Sequence, residues 1–147
     1  SDWYRQDEGT FVTDASINAL SGVSQVIVQA DDTTTNERVI LRNNGTTAAL
    51  ATLVVDGGVV QGGISSAGAS YLINTFKKAA LAYKVNDVVA AFSGAIVGTD
   101  TTATMATPTQ LVLGNGVGSG YLNGHIASVS YYQKRLSNTE LVALSAQ

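Results

Sequence analysis

The chain has 147 residues, 45% of them hydrophobic and only 13% charged, and its eight Lys and Arg against eleven Asp and Glu leave a formal net charge of −3. A chain this long can bury roughly 68–70% of its unfolded surface without a covalent or metal staple. With no Cys and one His, His125, it excludes zinc ribbons, iron–sulfur clusters and thiol chemistry. The basic residues are scattered, adjacent only at Lys77-Lys78 and Lys134-Arg135, which excludes a phosphate-tracking nucleic-acid binder.

The opening Ser1-Asp2-Trp3-Tyr4-Arg5 has no initiator Met and no basic-then-apolar order. We therefore expect one domain over residues 1–147, belonging to a longer protein. Apolar runs such as 88–92 are far shorter than the roughly 20 residues of a spanning helix, so no membrane insertion is expected. Turn signals are spread evenly, and β-rich runs fall at 9–17, 24–30, 37–42, 48–56, 76–85, 88–97, 110–113 and 125–133. Eight short strands at such spacing predict an all-β sandwich or barrel.

Within 37–42, period-two alternation puts Val39 and Leu41 on one face and Arg38, Ile40 and Arg42 on the other, which is expected to be wet. Asn43-Asn44-Gly45, Asp56-Gly57-Gly58 and Asn86-Asp87 are expected to turn the chain. In 77–85, Ala79, Leu81, Tyr83 and Val85 form the inward set, and Lys78, Ala80, Ala82 and Lys84 point outward. The period then changes at Leu136-Ser137-Asn138-Thr139-Glu140-Leu141. Ser137 is placed as N-cap, Glu140 as its capping-box partner, and Leu136 with Leu141 as a hydrophobic staple for a short helix reaching about Ala146.

The stretch from Leu122 to Leu141, with Gly124, Ile126, Val129, Tyr132, Leu136, Ser137 and Glu140 in the pattern G-x-I-x-x-V-x-x-Y-x-x-x-L-S-x-x-E, resembles the terminal strand and helix of concanavalin A-like (laminin G-like) jelly rolls. Glu8-Gly9-Thr10-Phe11 resembles the first strand of that family. Ala80-Leu81-Ala82-Tyr83 with Phe92-Ser93-Gly94 resembles its hairpin, and Leu111-Val112-Leu113-Gly114 its penultimate strand. The opening from Asp2 to Thr10 is similar to the start of such domains in bacteriophage tail and fibre proteins. The resemblance implies an all-β jelly-roll sandwich with a short C-terminal helix, located in a virion or outside the cell. It implies a non-enzymatic module that recognises cell-surface glycan.

Glycan-cleaving members of the fold carry clustered carboxylates, because an acid and a nucleophile must flank one bond about 5–5.5 Å apart. The three glutamates here, Glu8, Glu37 and Glu140, have no acidic partner at i+2 or i+4, and His125 lacks a G-x-S-x-G elbow. No enzyme is expected. The resemblance also raises calcium, for which Asp31 and Asp32 in a Thr-rich loop are the best pair, with Asp100 and Asn115 as partners. The alternative, that this pair only caps a loop, is favoured by the lack of a D-x-D-x-D run.

Glycan binding needs an aromatic platform and polar forks. Tyr71 and Tyr121 are the candidate platforms, and Arg38, Arg42, Asn115 and Asn123 the candidate forks. Tyr83 and Phe92 read as core, Trp3 and Tyr4 as an N-terminal anchor, and one of Tyr131 and Tyr132 must face inward. Small residues at Ala80, Ala82, Ala48, Ala49 and Ala51 suggest a surface another subunit could approach. Since phage fibres are generally trimers, the resemblance implies a homotrimer within a longer virion protein. The rival readings are a structural capping or trimerisation domain without ligand, and a carbohydrate-binding module of a bacterial secreted protein.

Overall fold

The computed structural model describes residues 3–147; Ser1 and Asp2, and with Asp2 the first residue of the phage-like opening, lie outside the described residues. Among the described residues ten strands form two antiparallel sheets. They are β1 (Glu8–Ile17), β2 (Gln25–Asp31), β3 (Arg38–Asn43), β4 (Ala49–Asp56), β5 (Val59–Ser70), β6 (Lys77–Lys84), β7 (Asp87–Phe92), β8 (Ala95–Asp100), β9 (Gln110–Leu113) and β10 (Gly124–Tyr132). One helix, α1 (Asn138–Ser145), follows. The back sheet has the order β10-β1-β6-β7-β8 and the front sheet β5-β4-β3-β2-β9.

Alternation along the strands builds the core between the sheets. Phe11, Leu81, Tyr83, Ala90 and Phe92 of the back sheet meet Ile27, Val39, Leu41, Leu50 and Val54 of the front sheet in one cluster, all buried. Trp3 and Tyr4 do anchor the N-terminal segment. Tyr4 stacks on Tyr83 and on Tyr131 with ring centroids 6.1 and 5.7 Å apart, so Tyr131 is the inward member of its pair. Burial drives the Tyr4 and Tyr83 hydroxyl pKa values well above the ordinary phenol range, because the phenolate would lose its water.

The structure departs from the sequence expectations at several points. Strand β5 was missed, because Gly62, Gly63 and Gly68 with three serines make a turn-like composition. Here the glycines serve close approach instead. A Cβ at Gly62 would come within 3.1 Å of Ala103 and 3.2 Å of Val88, and one at Gly98 of β8 would fall on Ile64, so β5 and β8 close one side of the sandwich only because these positions lack side chains. The run 88–97 is two strands, turned by Ser93 and Gly94, both at positive φ as a tight hairpin requires. The turn between β6 and β7 is Val85-Asn86 rather than Asn86-Asp87: Asn86 has φ 57°, Val85 is exposed, and Asp87 already pairs with Lys84.

The outward alanines are a further correction. Ala80 and Ala82, with Val89 and Ala91, are buried beneath Leu136 and Leu141 of the C-terminal segment. Small side chains are needed there because α1 lies directly on the back sheet. Ala48, Ala49 and Ala51 are buried too, Ala51 keeping only 8% of its surface open on the front sheet, so these alanines form no exposed apolar patch for a subunit contact. The helix starts as the sequence predicts: the Glu140 amide donates to Ser137 Oγ, and the Ser137 amide donates back to the Glu140 carboxylate over 2.7 Å.

Candidate functional site

The outer face of the front sheet is uncovered by any helix, and register decides which side chains reach it. Arg42 pairs across to Val26 and Ala51, Ile40 to Gln29 and Leu53, and Arg38 to Asp31 and Val55, so these residues share that face. The loop from Gly114 to Tyr121 folds over part of it, held by Val26 N–H donating to the Gly120 carbonyl over 2.8 Å. A Cβ at Gly116 or Gly120 would press against the Val26 side chain at 3.1 and 3.3 Å, so glycine lets the loop lie this low. With the core on one side and this loop on the other, every residue of β2 is buried.

Beside the loop runs a shallow groove of two hollows. One, of about 110 Å³, lies over β2 and β3 and is lined by Gln29, Arg38, Ile40, Arg42, Gly116 and Val117 among others. The other, of about 240 Å³, lies over β4 and β5 and includes Arg42, Ala51, Leu53, Gly63 and Ser65. Arg42 and Ser24 line both. Each is smaller than a typical enclosed small-molecule pocket of about 300–1,000 Å³, as expected of a surface that grips weakly at each site.

The electrostatics of this groove are unusual for a chain of net negative charge. Neither the Arg38 nor the Arg42 guanidinium forms an ion pair or hydrogen bond with any described residue, and the Nε of each is buried without a partner. Burial lowers the pKa of both, and for Arg42 the nearby Arg38 lowers it further, whereas Asp31 partly restores that of Arg38. The Gln29 Oε1 is buried and unpartnered in the same hollow, because the amide nitrogen is spent on Asp31. Unsatisfied buried polar atoms are rare and costly. The two guanidinium groups make the groove complementary to an anion, whereas the Gln29 carbonyl oxygen, an acceptor, is placed for a ligand hydroxyl.

The other candidate residues separate. Tyr71 is a core residue rather than a rim platform: it is 2% exposed and meets Phe92 edge-on at 5.0 Å. Tyr121 is 68% exposed at the end of the covering loop, next to Gly120, but lines neither hollow. Asn123 lies at the foot of that loop, its backbone N–H donating to Gln25 Oε1 over 2.9 Å. Asn115 shares a hollow of about 180 Å³ with Asp31 on the far side of the loop, its Oδ1 buried and unpartnered. The site residues that sequence reasoning passed over are Gln29, Leu53 and Gly63; the missed strand hid Gly63, and Gln29 has no motif that would mark it.

The acidic residues are engaged locally. Asp31 accepts from Gln29, Gln110 and the Thr33 amide at 2.7, 2.6 and 2.8 Å, and Asp32 accepts from the amide and hydroxyl of Thr34. Asp100 lies apart from them, taking the amide and hydroxyl of Thr102. Among the described residues no three His, Cys, Asp or Glu side chains gather as a metal site. Glu8 accepts from the Arg135 amide, Glu37 from the amides of Gly57 and Thr107, and Glu140 caps α1.

No protein-family model matches the sequence, and no curated protein matches it. The fold, by contrast, has clear counterparts among solved structures. The CBM40 of the Ruminococcus gnavus IT-sialidase, bound to α2,3-sialyllactose, superposes with a TM-score of 0.79 at 15% identity, covering 96% of this chain and 84% of that one. The leech intramolecular trans-sialidase matches with a TM-score of 0.78 at 14% identity over 95% of this chain, which spans only 23% of that enzyme. A heptameric pentraxin from Limulus polyphemus matches with a TM-score of 0.65 at 10% identity, over 95% of this chain and 70% of that one. The fold is thus the concanavalin A-like jelly roll with a short C-terminal helix.

Proposed function

We propose that this chain is a non-catalytic glycan-recognition module and that its front-sheet groove receives an acidic sugar, with Arg42 and Arg38 facing the anionic group. The observation that carries the reading is the pair of half-buried guanidinium groups, neither of them in an ion pair or hydrogen bond with a carboxylate among the described residues, with Arg38 feeling only the field of Asp31. A buried unpaired charge costs folding free energy, and a ligand carboxylate would return that cost as charge-assisted hydrogen bonds. The sialyllactose bound by a module of the same fold supports a glycan as the occupant.

Solvent-exposed Tyr121 stands beside the groove as a flank against which a sugar ring can lie, the Asn123 backbone amide ties down the end of the loop that forms its wall, and the unpartnered Asn115 Oδ1 is free to accept from a ligand hydroxyl. The setting we favour is host recognition by a phage tail or fibre protein, supported by the similarity of the opening residues. Strain-dependent capture of bacterial cells is the expected result there, whereas a module of a secreted enzyme would bind purified polysaccharide regardless of strain.

The direct experiment is a glycan array of acidic and neutral sugars, probed with the wild-type protein and with Arg42→Ala, with and without chelator. Binding confined to acidic glycans, weakened at least tenfold by Arg42→Ala (about 1.4 kcal/mol) and by raised salt, with an unchanged melting temperature, is expected. Equal binding by the variant, or preference for neutral glycans, would overturn the assignment.

A further inference from the structure

The two hollows of the groove meet at a charge, and this placement bears on how much of a glycan is recognised. Arg42 lines both, so a group bound to its guanidinium has groove on either side of it. On one side lies the polar hollow with Arg38 and the unpartnered Gln29 Oε1. On the other, the larger hollow has a floor of Ala51, Leu53 and Gly63, a low apolar surface matching the C–H face of a second sugar ring. Together they cross β2, β3, β4 and β5, and at strand spacings of about 4.8 Å that is about 14 Å of front sheet. A single ring held at the guanidinium leaves one hollow empty.

Resting on the acidic-sugar reading above, we infer that the groove binds a stretch of acidic glycan chain, with an internal acidic unit at Arg42 and the neighbouring sugar over Ala51, Leu53 and Gly63. Recognition is then of a polymer interior, such as an acidic polysaccharide coat, rather than of one charged sugar at a chain end. The apolar hollow acts as a length sensor: it adds affinity only when a second ring is attached.

Gly63 and Ser65 are exposed, and a Cβ at Gly63 would meet Leu53 and Val60 at ordinary contact distances of 3.5 and 3.6 Å, so this hollow can be filled from the surface. The test is calorimetric titration of the whole chain with free sialic acid, α2,8-linked sialic acid oligomers of two to four units, galacturonic acid and its oligomers of the same lengths. For one of the two series, affinity is expected to rise at least tenfold from monomer to trimer, more than the threefold statistical gain from repeated units. Gly63→Leu, and independently Ser65→Leu, should remove that gain, so that each variant binds trimer no more tightly than monomer beyond the statistical factor.

Affinity indifferent to length would overturn the inference and leave the acidic-sugar reading standing. A length gain that survives both substitutions, with their melting temperatures unchanged, would likewise overturn it. Binding to neither series at any length would strike both readings together.

Discussion

Gly9 shows how one atom's absence can organise a neighbourhood. It sits inside β1, opposite Tyr83, where a Cβ would run into the hydroxyls of Tyr83 and Tyr131. Those hydroxyls lie 3.3 Å apart, and the Tyr131 oxygen accepts the Arg5 amide at 3.0 Å, so the glycine leaves room for the hydrogen bonds that pin the N-terminal segment. Gly9→Ala is expected to destabilise by about 1–3 kcal/mol, read as a lowered urea midpoint at unchanged slope. In the sequence Gly9 served only to mark a strand's beginning, because glycine used for close approach looks the same as glycine used for a turn. The arginines were more legible: period two alone put Arg38 and Arg42 on one outward face, though not the fact that neither is ion-paired with a described carboxylate, which depends on where those carboxylates end up.

At the scale of elements, α1 is the part whose chemistry is local and whose placement is not. Its start was readable because the capping box needs only Ser137, Glu140 and the residues between them. Where it docks was not: Leu141 is fully buried against Ala80, Ala82, Val89 and Ala91, residues fifty or more positions away in sequence. Leu141→Ala is therefore expected to cost about 2–5 kcal/mol, whereas Ser137→Ala removes one cap and about 1 kcal/mol, both measurable by chemical denaturation. The cap also carries a pH signature. Hydrogen bonds from Ser137 hold the Glu140 carboxyl below its ordinary pKa, so its contribution is present above the unfolded value and is lost as the pH falls through the lower folded one. Asp32 and Asp100, each bonded to the threonine two residues on, behave alike. Melting temperature should accordingly drop on acidification below about pH 4.5, and Ser137→Ala should make that drop shallower.

Across the whole molecule, the two sheets have different outer faces. The back sheet is sealed by α1 over its alanines, and the front sheet is open along its groove. Fold class could be read from strand spacing and the terminal motif, whereas the groove could not, since β5 supplies one of its sides and a glycine-rich strand gives no β signal. Removing residues 138–147 should uncover Ala80, Ala82, Val89 and Ala91. The expected outcome is dye binding to the exposed apolar face and a mass that grows with concentration in light scattering, neither of which the full chain should show.

The strict alternation of β3 and β4 has one further consequence. Val39, Leu41, Leu50 and Val54 hold the two sheets together, and their immediate neighbours Arg38, Arg42, Ala51 and Leu53 take no part in that packing. If the front-sheet groove is the binding site proposed above, stability and selectivity are written on interleaved positions of the same strands. Descendants of this chain could exchange one ligand for another by changing every second residue, while the scaffold beneath passed through each step intact.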